Sequence, residues 1–342
     1  MHAATAPLGD LRLRDDGRFG GKSAALGELL AAGIPVPDGF AISADAYGAF
    51  VDAVGLGDRV ERSLARLDAG EIGAVRAVSE ELRAAVTEAG LPDALRAELA
   101  ERYAELAGPP VAVRSSAVGE DGADATFAGQ QETVLWVRGV DELCRAVQRC
   151  WASLLSPEAI TYRARLGDTG GAPAMGVAVQ RMVDAEVAGV LFTCNPVSGD
   201  PSVVAIDASW GLGVAVVGGE VTPDEYLVSK VTGEVVRSAV NAKLVEYRPD
   251  PAGSGTTRLD VPPARAGVPC LDDSGLAALV KVAGVVERHF GSHQDVEWAI
   301  DGSGSTHVLQ SRPVTAAART HGPTGDSALA LVLSTLGVQR RA

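Results

Sequence analysis

A carboxylate, an amide and a guanidinium fall at related positions near the end of this sequence. Gln294-Asp295-Val296-Glu297-Trp298-Ala299-Ile300 is followed by a Gly/Ser turn and then by Val308-Leu309-Gln310-Ser311-Arg312-Pro313. Val296, Trp298 and Ile300 alternate with Asp295, Glu297 and Ala299, which is the period of a half-buried strand. In the second run Gln310 and Arg312 share one face, with Leu309 and Ser311 on the other. A turn at 302–305 pairs Ile300 with His307 and sets Glu297 opposite Gln310. Directly opposed residues in a ladder project to the same face. That face then carries Glu297, Gln310 and Arg312. Carboxylate and amide oxygens suit Mg²⁺, and a planar guanidinium suits phosphate oxygens. An amphipathic hairpin with a solvated polar face fits this stretch equally well.

Other stretches add candidates. Gly20-Gly21-Lys22-Ser23 resembles the tail of a P-loop, but the Walker pattern needs a glycine where Asp16 stands, so that reading fails. A Gly pair followed by Lys at a helix start still favours an anion through backbone donors, helix dipole and ammonium. A surface Lys after a turn is the alternative. Arg114 sits mid-strand between Val113 and Ser115 and needs a partner, either a structural carboxylate or a ligand phosphate. The loop 121–131 is small and Gly-rich around Gly129 and can close over phosphates, although most such loops are only loops. Residues 180–183, Gln180-Arg181-Met182-Val183, end an apolar strand; a crevice edge offering backbone N–H and C=O beside Met182 suits adenine. Ordinary core strands explain the same residues.

The chain has 342 residues, of which 46% are apolar and only 4% aromatic, so Ala, Val and Leu must fill its core. A formal charge of −14 argues against nucleic acid or an anionic membrane as the main partner, while a few local cations still permit a phosphate ligand. The cysteines Cys144, Cys150, Cys194 and Cys270 form no CxxC pair, and no His sits at metal-ligand spacing from them. They are expected as reduced core thiols. No apolar run reaches the ~18 residues of a membrane span, and the N-terminus lacks an apolar signal region. A soluble, cytoplasmic protein is expected.

The elements that must position these residues follow from periodicity. A helix is predicted over 22–32, stopped by Gly33, Pro35 and Pro37, then a strand at 40–42 and a helix from an N-cap at Ser43. A helical block covers 57–107, a strand 111–116, a second strand 133–137 and a helical segment 140–166. Gly170-Gly171 and Pro173 mark a break. Two apolar strands, 177–183 and 188–193, are joined by a short polar turn, with a further strand at 203–206 and a Gly-rich stretch at 211–219. A hairpin is predicted around Thr232-Gly233, a Pro/Gly loop over 248–269, and a helix capped by Ser274 running to Phe290. After Pro313 the chain reads as a linker and a short terminal helix.

Taken in order, these stretches resemble the ATP-binding domain of phosphoenolpyruvate synthase and its relatives, among them pyruvate phosphate dikinase, rifampicin phosphotransferase and phenylphosphate synthase. The carrying segments include Gly20-Gly21-Lys22, Pro35-Val36-Pro37-Asp38-Gly39-Phe40 and Val113-Arg114-Ser115-Ser116-Ala117. They continue with Phe127-Ala128-Gly129-Gln130-Gln131-Glu132-Thr133, Val179-Gln180-Arg181-Met182-Val183, Gly189-Val190-Leu191-Phe192-Thr193, Gly211-Leu212-Gly213, Val221-Thr222-Pro223-Asp224 and Gln310-Ser311-Arg312-Pro313. Together they span residues 20–315. The resemblance implies an α+β, ATP-grasp-like fold of two lobes with ATP held between them. The lobes are expected over 1–183 and 184–315, with 316–342 as linker and helix. It implies that Lys22 and Arg114 bind ATP phosphates, that the loop around Gly129 with Thr133 at its end covers them, and that Gln180, Met182 and Val183 form the adenine hinge. Glu297 and Gln310 would hold Mg²⁺, and Arg312 would contact the phosphoryl group in flight. Arg312, Lys22 and Arg114 are thus the expected catalytic set, and phosphoryl transfer needs mainly such positioning and charge neutralisation.

Two departures stand out. Val214 follows Gly211-Leu212-Gly213 where the family usually has Glu, which bears on how a nucleotide is held. Relatives continue into a swivelling domain whose His carries the phosphoryl group, and then into an acceptor domain. None of His2, His289, His293, His307 and His321 lies in such a motif. The expected function is therefore that of an Mg-ATP-binding subunit of a split dikinase-type phosphotransferase, as in the smaller subunit of phenylphosphate synthase. It would pass a phosphoryl group to a His on a separate swivelling-domain protein that also bears the acceptor site. The final acceptor is open: a phenol-like alcohol, pyruvate or an antibiotic hydroxyl. A nucleotide-binding regulatory or scaffold protein without catalysis is the alternative.

Overall fold

A computed structural model describes residues 3–67, 71–119, 132–166 and 175–314, with only the backbone for 162–166. The loop 121–131 with Gly129, the break at Gly170, Gly171 and Pro173, and the linker and helix expected over 316–342 lie outside the described residues. The architecture is α+β, and the chain separates into two compact units. These are Met1–Gly27 with Asp38–Met182, and Glu28–Pro37 with Val183–Ala342. Residues 28–37, assigned by sequence to the first lobe, pack with the second unit: the Val308 N–H donates to Pro35 O at 2.8 Å. Among the described residues no helix is long and apolar enough to cross a membrane.

The first unit is built on strands β1 (Thr5–Pro7), β2 (Gly39–Ile42), β3 (Val111–Ala117), β4 (Thr133–Val137) and β5 (Met175–Arg181). They pair antiparallel in the order β1-β2-β5-β3-β4. β-Branched residues fill the pleat: Ile42, Val111, Val113, Val177 and Val179 are buried, with Phe40, on the face that meets the helices. The helical block expected over 57–107 resolves into Leu56–Leu64, Ile72–Glu88 and Asp93–Glu105. The segment expected over 140–166 is Val140–Ala152, a 3₁₀ turn at Ser153–Leu155, and Pro157–Leu166. Trp151 is the anchor of this core, with the rings of Tyr47 and Phe50 at 5.5 and 5.1 Å. Cys150 lies beside it, and burial pushes its thiol up to about 12, so it acts as a small hydrophobe. Ser43 caps the Ala44–Ala53 helix by accepting from the Ala46 N–H.

The second unit holds β6 (Ala185–Phe192), β7 (Val203–Trp210), β8 (Asp224–Ser229), β9 (Val235–Ala239), β10 (Val245–Pro249), β11 (Thr256–Asp260), β12 (Gln294–Asp301) and β13 (Thr306–Pro313). Six of these pair antiparallel as β13-β12-β6-β7-β8-β9, and β10 pairs with β11 alone. Three expectations need correction. The apolar strands β5 and β6 are consecutive in sequence but belong to different sheets, so no hairpin joins them. The stretch 248–269 is not a plain loop: β10 and β11 pair over five positions, and their Pro and Gly residues mark the strand ends and the turn. The helix Asp273–Phe290 is capped by Asp272 rather than Ser274; the Asp272 carboxylate accepts the Gly275 N–H at 2.8 Å, and the Ser274 hydroxyl donates to it.

A buried ion pair fixes the start of β8. Asp224 and Lys243 are both fully buried. The Asp224 carboxylate also accepts the Asn241 and Cys270 N–H groups at 2.9 Å each, and Lys243 donates to Asn241 O at 2.8 Å. Such a pair is stable only while both charges are present. Asp224→Asn is expected to cost about 3–5 kcal/mol in urea denaturation; a change near zero would show that Lys243 finds another partner.

Candidate functional site

The β12–β13 ladder decides which side chains share a face. Glu297 stands opposite Gln310, and Asp295 opposite Arg312. The sequence-based register does not hold along the whole hairpin: Ile300 pairs with Thr306, not His307, and His307 pairs with Ala299. The offset is taken up between Glu297 and Trp298, where the register skips Leu309 and the strand bulges. Val308 and Gln310, two apart in sequence, therefore face opposite ways. Val308 joins Trp298 in the core, both fully buried, while Gln310 stays on the face of Glu297. The Ser311 hydroxyl donates to Gln294 Oε1 at 2.9 Å on the other face and locks the strand ends together.

The polar face continues across the sheet. One row runs Gln310, Glu297, Val190, Asp207 and Glu225; the next runs Arg312, Asp295, Phe192, Ala205 and Leu227. Arg312 is held by a 2.9 Å bond from its Nε to Asp295 Oδ2. Burial raises the Asp295 carboxyl above the usual carboxylate range, and Arg312 works against that shift. Asp207 is 2% exposed, and its Oδ2 has no hydrogen-bond partner. Burial, then Glu225, then Asp295 push it up to about 7. Val214 opens the short Val214–Val217 helix, whose Ala215 and Val216 pack with Val190, Phe192 and Ala205 on this face.

The first unit gathers a second set by itself. Gly20, at φ +81°, turns the chain into the Gly21–Ala31 helix, and a Cβ there would lie 2.0 Å from Ser116 O. Lys22 is 5% exposed and donates through Nζ to Ser115 O at 2.9 Å. Ser116 Oγ accepts the Ser23 N–H at 3.1 Å. Arg114 is opposite Thr133 on one side and Ala178 on the other; Gln180 is opposite Ala112 and Gly39. Arg114 and Gln180 thus share one face of the sheet, among the small residues Ala112, Ala178, Gly39 and Ala41, and both are buried. Thr133 is exposed. One expectation changes here. The N–H groups of Arg181 and Met182 already donate to Asp38 O and Pro110 O, at 2.8 and 2.9 Å, so neither is free for adenine. Val183, in the second unit, is buried at 8% exposure.

The donor set suits Mg²⁺. Glu297 and Gln310 present hard oxygens from adjacent strands. Among the described residues no three His, Cys, Asp or Glu side chains are grouped for a metal. Mg²⁺ is commonly bound by one or two protein oxygens, completing its shell with water and substrate phosphates.

The chain belongs to the family described as pyruvate phosphate dikinase, AMP/ATP-binding domain, whose model matches residues 17–328. It is 40% identical over 314 residues to a probable phosphoenolpyruvate synthase of Methanocaldococcus jannaschii, covering 90% of this chain and 26% of that protein. It is also 40% identical over 331 residues to phosphoenolpyruvate synthase of Pseudomonas aeruginosa, covering 91% and 42%. Against a rifampicin phosphotransferase of Streptomyces it is 42% identical over 301 residues, covering 86% and 34%. The chain therefore spans about a quarter to under a half of the relatives it matches.

Sequence reasoning gave no role to two residues that the sheet brings to this face. Asp295 was visible as the ladder partner of Arg312, from the same register that joins Glu297 to Gln310. Asp207 had one signal, a carboxylate ending the apolar run Val203-Val204-Ala205-Ile206 inside a strand. A carboxyl raised to about 7 holds a proton in the folded state that it lacks when unfolded, so its stabilising contribution is present at low pH and is lost as pH rises toward and through 7. In chelator, Asp207→Asn should gain on the wild type by on the order of 1 kcal/mol per pH unit between pH 5 and 7 in thermal denaturation. Parallel stability curves would show that Asp207 titrates normally.

Proposed function

We propose that this chain is the Mg-ATP-binding unit of a dikinase-type phosphotransferase with an ATP-grasp-like fold. In this reading it passes a phosphoryl group from ATP to a histidine on a separate swivelling-domain protein, which serves a small acceptor such as a phenol-like alcohol, pyruvate or an antibiotic hydroxyl. Membership of an AMP/ATP-binding family supports the nucleotide. Relatives named phosphoenolpyruvate synthase and rifampicin phosphotransferase support the reaction class. The observation that carries the reading is the β12–β13 register, which sets Glu297 against Gln310 and ties Arg312 to Asp295 on one face.

The roles follow from charge. Lys22 and Arg114 are cations at 5% and 9% exposure, and a buried cation is stabilised by an anion such as a phosphate. Gly129 and Thr133 belong to the segment that covers the phosphates. Gln180, Met182 and Val183 contact adenine, through side chains and carbonyls rather than the Met182 N–H. Glu297 and Gln310 hold Mg²⁺, which when bound neutralises phosphate charge. Arg312 stabilises the charge that spreads over the equatorial oxygens as the bond from phosphorus to the bridging oxygen breaks and a P–N bond forms to the imidazole. Asp295 positions Arg312 and contacts no substrate.

Incubation of the purified chain with β- or γ-labelled ATP, Mg²⁺ and a purified phosphohistidine-domain protein is expected to label the partner's histidine. Arg312→Ala should slow labelling by about 10²–10³-fold with nucleotide still bound. Asp295→Asn should slow it by about 10–100-fold, as loss of an orienting partner does. Full labelling in Arg312→Ala would remove the proposed role. Nucleotide binding with no labelling of any histidine-domain partner would favour a regulatory nucleotide-binding protein.

A further inference from the structure

Beyond the Glu297–Gln310 pair, the same sheet face holds two carboxylates with no role in the reaction above. Asp207 on β7 and Glu225 on β8 stand directly opposite each other. Opposed like charges in a ladder repel, their Cβ atoms lying roughly 5 Å apart. Neither is paired: among the described residues no ion pair reaches either side chain, and Asp207 Oδ2 is buried without any hydrogen-bond partner. A buried unpartnered carboxylate oxygen is costly unless something occupies the space before it.

That space exists. A cavity of about 140 Å³ is lined by Asp207, Glu225, Asn195, Ser198, Leu227 and Arg237, among others. It has room for an ion and several waters. Ala205 also lines it, as does the Asn195 turn, whose Oδ1 accepts the Val197 and Ser198 N–H groups at 2.9 and 3.1 Å. Arg237 lies on the edge strand β9 and makes no ion pair with either acid among the described residues, so no cation of the lining offsets the two carboxylates. Burial, Glu225 and Asp295 all push Asp207 the same way, and no cation offsets them.

We propose that the Asp207–Glu225 cavity binds a hydrated divalent cation, at a site separate from the Glu297–Gln310 position. In the ladder Val190 of β6 intervenes between Glu297 and Asp207. Two strand spacings make the separation about 10 Å, too far for one ion to touch both pairs. Two carboxylates with the rest of the shell as water is an ordinary Mg²⁺ or Mn²⁺ arrangement.

Mn²⁺ binding to the nucleotide-free full chain, followed by electron paramagnetic resonance, tests this. Gln310→Ala removes the other position, and in that background one Mn²⁺ is expected to remain bound. Adding Asp207→Asn, or separately Glu225→Gln, should abolish it, with circular dichroism confirming that each protein is folded. Glu225 is only half-buried, so its variant should fold whatever Asp207→Asn does. No Mn²⁺ bound to Gln310→Ala, or binding in both double variants undiminished from that of Gln310→Ala, would overturn the site. So would stabilisation of the protein by methylammonium but not by Mn²⁺, which would assign the cavity to an organic cation. The assay contains no ATP, so either result leaves the phosphotransfer reading standing on its own test.

Discussion

The pairing of β12 with β13 is the constraint on which the second unit depends. A β-ladder has period two, so a slip of one residue would turn every side chain to the opposite face. Glu297, Gln310, Asp295 and Arg312 share a face because the register from 294 to 297 is fixed. Val308 can join Trp298 and Val296 on the buried other face only because a bulge at Leu309 restarts the alternation. The core and the polar face thus follow from one irregularity. β6 completes the arrangement on the far side of β12, where Val190 and Phe192 extend the same two rows.

The first unit solves a related problem with side-chain size. One face of its sheet is Phe40, Ile42, Val111, Val113, Val177 and Val179, and it meets the helices around Trp151. The other face is small, with Ala41, Ala112, Ala178 and Gly39, and carries the buried Arg114 and Gln180. Gly20 lets the chain turn against Ser116, which brings Lys22 to the carbonyl of Ser115. A side chain at Gly39 would collide with the Val179 backbone, and one at Gly20 with the Ser116 backbone.

Much of this was legible in the sequence for a physical reason. Alternation in 294–300, the Arg114 strand, the Ser43 cap and the helix around Trp151 are local patterns, and local patterns survive folding. What failed was non-local or masked. The Ile300–His307 pairing failed because alternation carries no sign of a bulge at Leu309. The strands β10 and β11 were hidden by the Pro and Gly residues of their own turn. β5 and β6 read as one hairpin because proximity in sequence does not say which sheet a strand joins. Asp207 acquires meaning only when β6 to β8 align it with Glu225 and Glu297, and the closure of the Met182 N–H by Pro110 could not be read from composition.

The central claim is that Glu297 and Gln310 hold the metal of a bound Mg-ATP. Calorimetry of ATP with the purified chain, with and without Mg²⁺, tests it most directly. The account predicts that Mg²⁺ tightens ATP binding to the wild type, and that this gain is lost in both Glu297→Ala and Gln310→Ala while metal-free ATP binding persists. A gain from Mg²⁺ that is the same in the variants as in the wild type would contradict it.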